Sequence, residues 1–328
     1  MKAVIINEFG GPEVLETVDL AEENLSVNEV KIKLYAAGLN PNESYTIAGT
    51  YGPVKPDLPY VPGFDGAGVI EEVGPGVEAL ELGDRVFFYG YLANKNTGTY
   101  AEKVIASADR VFPLPKKLSL IEGAALGIPA FTAYRVLFHR AKIKAEDTVL
   151  IHGASGAVGN FSLQMAKAVG AKVIGTSSSE AGREKILKAG ADYALNHLSE
   201  DNQEELLEIT EGKGPDVILE MLANKNLELD SKIINKFGRI VVVGNRGRLE
   251  FNPSNLMKNE ANITSVNVGY MTAEYFDAAM LGILDMIEKD ELRPLVGEKF
   301  TLDQAKEAHQ HLIDGPGNGR TVFVMAEE

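Results

Sequence analysis

One segment constrains this chain more than any other: an apolar strand, a glycine-spaced loop and a helix in direct succession. Thr148-Val149-Leu150-Ile151 is a β-type run, and it leads into His152-Gly153-Ala154-Ser155-Gly156-Ala157-Val158-Gly159. A helix from Val158 to Val169 follows, stopped by Gly170, and a second strand begins at Lys172. Glycines at 153, 156 and 159 let the backbone turn tightly and lie close to a pyrophosphate. The helix start adds unpaired N–H groups and the positive end of the macrodipole. Val158, Phe161, Met165 and Val169 keep an apolar face toward a sheet. Strand, loop, helix and second strand fit within about 30 residues, as a dinucleotide fingerprint requires. Gly153, Ala154, Ser155, Gly156, Ala157, Val158 and Gly159 are therefore the candidate phosphate-binding residues.

The second strand ends in Gly175-Thr176-Ser177-Ser178-Ser179. A site for NAD would carry Asp or Glu here to hold the ribose hydroxyls. This chain offers hydroxyls instead, with Arg183 and Lys185 soon after, and Glu180 arrives three residues late. No carboxylate at the strand tip repels a 2′-phosphate, and a cation is near enough to pair with one. Ser177, Ser178 and Arg183 thus point to NADPH. The alternative is that Arg183 and Lys185 only line a solvated helix face.

The rest of the chain is organised around that unit. Before about residue 119 the sequence reads as short β runs (Ala3–Ile6, Val30–Tyr35, Ala67–Val73, Arg85–Phe88, Tyr100–Ile105) separated by Gly and Pro clusters. Afterwards strands and helices alternate through Ile240–Val243 and Ile263–Val268, the mark of a doubly wound parallel sheet. A helix at Ala130–Leu137 precedes the alternation, with Thr132 at its opening. The tail, with strands at Lys299–Thr301 and Thr321–Met325, does not continue it.

Composition removes several function classes. The 328 residues include no Cys, which excludes disulfides, thiolate nucleophiles and Cys-ligated metal sites. With 32 basic and 47 acidic side chains the net charge is 32 − 47 = −15, which makes a nucleic-acid partner unlikely. The start, Met1 to Glu8, has an apolar run of only four residues, and nothing else reads as a membrane span. A soluble, cytoplasmic protein with no membrane partner is expected.

Several further segments resemble a known family. Gly38-Leu39-Asn40-Pro41-Asn42-Glu43, Gly49-Thr50-Tyr51, Pro59 to Val69 and Gly83-Asp84-Arg85-Val86 are similar to the N-terminal domain of zinc-free medium-chain dehydrogenase/reductases. Glu146 to Gln164 looks like the signature of their quinone oxidoreductase branch. Glu220 to Asn224 and Val243 to Gly247 look closest to its zeta-crystallin-like members. Ala157 departs from the branch, which usually has a second consecutive Gly there; a negative φ would accommodate it.

The resemblance implies an α/β architecture: a GroES-like β domain over residues 1–125 and 297–328, and a Rossmann doubly wound parallel-sheet domain over 126–296. It implies an active site in the cleft between them, and a homodimer or homotetramer. It also implies NADPH-dependent reduction of quinones or activated alkenes. Zinc-dependent relatives hold their metal with Cys and a Gly-His-Glu motif; here the matching segment is Gly63-Phe64-Asp65. Without a Lewis acid to lower an alcohol's pKa, an electron-poor quinone or enone is the expected substrate.

The resemblance places Tyr51, Asn40 and Thr132 at the catalytic end of the cofactor. On spacing alone Tyr51 reads as a surface aromatic, Asn40 as a turn residue and Thr132 as a cap. It also places His197 by the adenine, Gly244, Asn245 and Arg246 by the nicotinamide half, and Arg320 at the cofactor cleft. In this reading His152 shapes its loop, and His139, His309 and His311 are structural or solvated. Two rival functions stay open. One is a reductase of enones or enoyl thioesters, with Lys55, Lys95 and Arg248 as candidate thioester contacts. The other is a non-catalytic NADPH-binding protein, crystallin-like or RNA-binding.

Overall fold

The computed structural model describes residues 1–51, 55–90, 98–315 and 317–327. The chain divides into two units, Met1–Ile128 with Pro294–Glu328, and Pro129–Arg293. The crossings fall three residues after 125 and three before 297.

In the first unit, sheet formation follows the β runs and the Gly-rich turns between them. The strand Glu29–Gly38 is its hub. Along its full length it pairs antiparallel with Asp65–Val73. On its other edge it pairs with Lys103–Ser107 over its first half and with Arg320–Val324 over its last three residues. Arg85–Tyr89 and Val111–Pro113 extend the sheet on one side, and Val296–Phe300 on the other. The C-terminal strand is thus inserted between Val296–Phe300 and Glu29–Gly38, in a sheet begun near the N-terminus, which is why the tail breaks the strand–helix alternation. Ile32, Leu34, Ile70, Val86 and Phe88 make one core layer, and Ile6, Leu39, Tyr100 and Phe323 belong to another.

The second unit has six parallel strands in the order Tyr193–Leu195, Lys172–Thr176, Thr148–Ile151, Val217–Glu220, Arg239–Val242, Asn262–Ser265. Numbered along the chain this is 3-2-1-4-5-6, so the order reverses between Thr148–Ile151 and Val217–Glu220. That reversal is the switch point at which ligands of such sheets bind. Helix Ala157–Val169 ends at Gly170, whose φ of 96° only glycine adopts freely. Phe161 and Met165 face inward as the periodicity requires.

One expectation about local structure changes. Thr132 does not open a helix. It lies, 6% exposed, inside the helical run Leu120–Tyr134, which continues as a π-helical segment Arg135–Ala141. The real break is at Gly127 (φ 13°, ψ −130°). A Cβ there would sit 2.1 Å from the Asp65 carboxyl, and Asp65 Oδ1 accepts the N–H of Ile128 at 3.0 Å. A carboxylate pressed against the backbone therefore sets the kink. By length and composition Leu120–Ala141 could cross a bilayer, but it is mostly buried and reads as a core element.

Candidate functional site

The second unit assembles the dinucleotide residues at the ends of its strands. Gly153 takes φ +58°, a conformation that favours glycine, and its N–H donates to Thr176 Oγ1 at 3.2 Å. The N–H of Ala154 donates to the Thr176 carbonyl at 3.0 Å, and that of Gly156 to the Gly153 carbonyl at 3.0 Å. These bonds curl the loop over the adjacent strand. Gly156 caps the helix that starts at Ala157, and no side chain caps that end. The first N–H groups of a helix have no partner within it, so this end suits an anion. Ala157 is helical and absent from the positive-φ residues, so it fits where relatives carry glycine.

The three glycines do different work. A Cβ on Gly159 would lie 2.4 Å from the Gly153 carbonyl oxygen and 2.7 Å from Ala154 Cα, so helix and loop touch there. A Cβ on Gly153 would meet only Met221 Cγ, at 3.9 Å, and one on Gly156 only the Gly153 oxygen, at 3.3 Å. The loop is closed beneath and open above, the form of a cradle for a pyrophosphate.

The residues after the second strand join this cradle. Ser155 Oγ donates to Ser177 Oγ at 3.1 Å, and both side chains are buried. Ser178 is exposed. Arg183 reaches back so that Nη1 lies 3.4 Å from both the Ser177 and Ser178 carbonyl oxygens. Its helix, Glu180–Lys188, is capped by Ser179. His197 Nδ1 lies 3.3 Å from Thr176 Oγ1. Burial lowers its pKa, helped by the nearby His152 and Arg183.

On the other side of the switch point, Gly244 packs so closely that a Cβ would lie 2.4 Å from the Met221 oxygen. Asn245 Nδ2 donates to the Gly247 carbonyl at 2.7 Å, and the Arg246 N–H to Asn224 Oδ1 at 2.9 Å. The loop is stitched to the start of helix Ala223–Ile233.

The first unit holds Asn40 and Tyr51. Tyr51 is half-buried, its N–H bonded to the Tyr45 carbonyl at 3.2 Å. Asn40 is 1% exposed and its amide is fully engaged. Nδ2 donates to Glu43 Oε1 and to Asp65 Oδ2, each at 3.0 Å, and Oδ1 accepts from Arg320 Nη1 at 2.7 Å.

Arg320 is the expectation the structure corrects. It is not an open cation reaching for a cofactor. Its guanidinium is 3% exposed and pairs with Asp65 at 2.6 Å. Strand Arg320–Val324 holds it against the sheet interior, so the charge is spent inside the unit. Lys95, proposed for a thioester, lies outside the described residues.

Sequence reasoning missed two buried polar networks. Glu43 accepts N–H groups from Asn40 (2.7 Å) and Phe64 (3.0 Å), and the Tyr100 hydroxyl (2.5 Å). Tyr100 Oη also lies 2.9 Å from His309 Nε2. Burial pushes Glu43 up to about 7, against these donors, and pushes His309 down to about 4. The second network joins His152, Glu220 and Asp230. Glu220 had left a signal: it closes the otherwise apolar strand Val217-Ile218-Leu219. Asn40 and Glu43 stand at the three-residue spacing of a capping box; the other members of each network are too far apart in sequence for spacing to link them.

A GroES-like β unit together with a Rossmann unit bearing such a loop defines a medium-chain dehydrogenase/reductase. Residues 26–116 match the model of the alcohol dehydrogenase GroES-like domain, and 157–283 that of the zinc-binding dehydrogenases. The chain is 44% identical to quinone oxidoreductase of Mus musculus, over 99% of this chain and 98% of the relative. It belongs to the zeta-crystallin-like quinone oxidoreductase family. Among solved structures, an NAD-dependent alcohol dehydrogenase matches with TM-score 0.91 and 30% identity, over 99% of this chain and 100% of the other. Escherichia coli quinone oxidoreductase complexed with NADPH matches with TM-score 0.87 and 29% identity, over 99% and 100%.

Proposed function

We propose that this protein is an NADPH-dependent quinone oxidoreductase that works without zinc. The observation that carries the reading is the cradle at Gly153–Gly159, flanked by Ser177, Ser178 and Arg183 rather than by a strand-tip carboxylate. The family's quinone oxidoreductases and the NADPH complex of one of them support it.

NADPH supplies the reducing equivalents. The unpartnered N–H groups at the start of helix Ala157–Val169 would hold its pyrophosphate. Arg183 would pair with the 2′-phosphate, which no carboxylate at the strand tip opposes. His197 would take the adenine side, and Asn245 and Arg246 the nicotinamide side. Tyr51 and Thr132 carry hydroxyls that would serve as donors to the developing quinone oxyanion, where such a donor lowers the barrier. Asn40 and Arg320 act at one remove, by holding the shape of the first unit. The zinc-free reading rests on the chemistry of the donors: the chain has no Cys, and Phe64 stands where zinc-dependent relatives carry His.

The test is NADPH consumption with 9,10-phenanthrenequinone and with 1,4-benzoquinone. Turnover that survives prolonged chelator treatment is expected, and no turnover of either quinone overturns the assignment. A kcat/KM for an enone or an enoyl-CoA above that for either quinone would move the substrate class to activated alkenes. Replacing Tyr51 by Phe should lower kcat about tenfold or more, with the KM for NADPH unchanged.

A further inference from the structure

His152 follows the first strand of the Rossmann sheet, and its N–H donates to the Leu219 carbonyl at 3.1 Å. Its Nε2 lies 2.9 Å from Asp230 Oδ1 and 3.5 Å from Glu220 Oε2. Glu220 ends the neighbouring strand across the switch point, and Asp230 sits on the next helix, Ala223–Ile233. Both carboxylates are 0% exposed. Glu220 Oε1 accepts from the Leu222 N–H and from Asn226 Nδ2. Among the described residues Glu220 Oε2 and Asp230 Oδ2 have no hydrogen-bond donor. The triad therefore ties together the phosphate loop, the turn after Glu220 and the following helix, with two carboxylate oxygens left for a proton to bridge.

We propose that His152, Glu220 and Asp230 form a positioning triad for the dinucleotide loop, and that the triad's protonation state sets how tightly the pyrophosphate is held. This rests on the cofactor reading above. With a proton on the imidazole and one on Glu220, the triad carries one positive and one negative charge and is neutral beneath the loop. With both lost it carries two negative charges, next in the chain to a loop that must attract an anion.

The energetics favour the neutral form near pH 7. Burial works to lower the His152 pKa, but the Asp230 charge and hydrogen bond, then the Glu220 charge, raise it to about 9. Burial and the hydrogen bond with Asp230 raise Glu220 to about 8. The other groups packed on His152 do not compensate. Thr176, Asn202 and Gln203 line a cavity of about 10 Å³ beside it and are uncharged. His197, beyond Thr176, has its pKa lowered.

The experiment is a fluorescence titration of the full-length protein with NADPH from pH 7 to pH 9.5. The 2′-phosphate of NADPH, with its second pKa near 6, is fully ionised throughout. The wild-type Kd should be tightest near pH 7 and weaken progressively through pH 8, about fivefold or more by pH 9.5. Glu220→Gln removes one of the two titrating charges and should shrink that step. Asp230→Asn removes the partner that holds the proton on His152 and should move the step to lower pH. Melting each variant without ligand separates a folding defect from a binding one, and the wild-type profile stands even if Asp230→Asn does not fold. A wild-type Kd independent of pH, or a step unchanged in both variants, overturns the proposal. A wild type that binds no NADPH at pH 7 overturns the cofactor reading instead.

Discussion

Arg320 Nη2 lies 2.6 Å from Asp65 Oδ2, and neither side chain reaches solvent. The pair ties the C-terminal strand to a strand that begins 255 residues earlier. Gly38 makes room for it: a Cβ there would lie 2.6 Å from Arg320 Nη2. Removing one partner leaves an uncompensated buried charge. Arg320→Met should therefore lower stability by about 3–5 kcal/mol, read as a fall in the urea midpoint. Adding Asp65→Asn should recover part of that loss, because the two residues are coupled.

Gly159 and Ala157 should respond oppositely to small changes. Gly159→Ala forces a methyl to within 2.4 Å of the Gly153 oxygen. Overpacking at that contact should cost about 1–3 kcal/mol of stability and weaken NADPH binding, seen in a thermal melt and a fluorescence titration. Ala157→Gly meets no such contact and should leave NADPH affinity unchanged.

Arg183 tests the cofactor preference. Among the described residues its guanidinium holds two long contacts to carbonyl oxygens, at 3.4 Å each, and it is partly exposed. A charged hydrogen bond to a 2′-phosphate contributes about 1.5–3 kcal/mol. Arg183→Ala should weaken NADPH about tenfold to a hundredfold while leaving NADH affinity unchanged, and equal losses for both would return Arg183 to a solvated helix face.

Glu43 and His309 make opposed contributions to the pH dependence of stability. Burial holds His309 down to about 4, so the unfolded chain takes up its proton first and stability is lost as pH falls from 6.5 toward 4. Burial raises Glu43 to about 7, so the folded chain takes up its proton first and stability is gained as pH falls from 7 toward 4.5. Tyr100, between them, serves both: it donates to the ionised carboxylate, or accepts from the protonated one and donates to His309 Nε2. The two slopes oppose each other, on top of the rise that buried Glu220 and His152 give as pH falls. Relative to the wild type, His309→Gln should make stability rise more steeply as pH falls from 7 to 5, and Glu43→Gln less steeply. Urea midpoints across that range would show the wild-type slope in both variants if the two groups do not titrate as described.

The Rossmann unit was legible because its signals are local. Apolar strands, the glycine spacing from 153 to 159 and the helix stop at Gly170 each act within a few residues of themselves. Serines 155 and 177 were named separately from their strand ends, and parallel pairing brought them within a hydrogen bond. A cation after a glycine, like Arg320, looks the same in sequence whether it faces solvent or a buried carboxylate. Nothing within the segment around His152 reveals Glu220 and Asp230.

The sequence alone determined the order of strands and helices, the phosphate loop, the hydroxyls in place of a strand-tip acid, and the lack of Cys ligands. Those follow from residue type and short spacing, which govern backbone preference and donor chemistry directly. Only the tertiary structure decided where buried charge is balanced: Arg320 against Asp65, Glu43 among Asn40, Tyr100 and His309, and His152 between Glu220 and Asp230. A charge removed from water needs partners within a few ångströms, and chain topology, rather than proximity in sequence, supplies them.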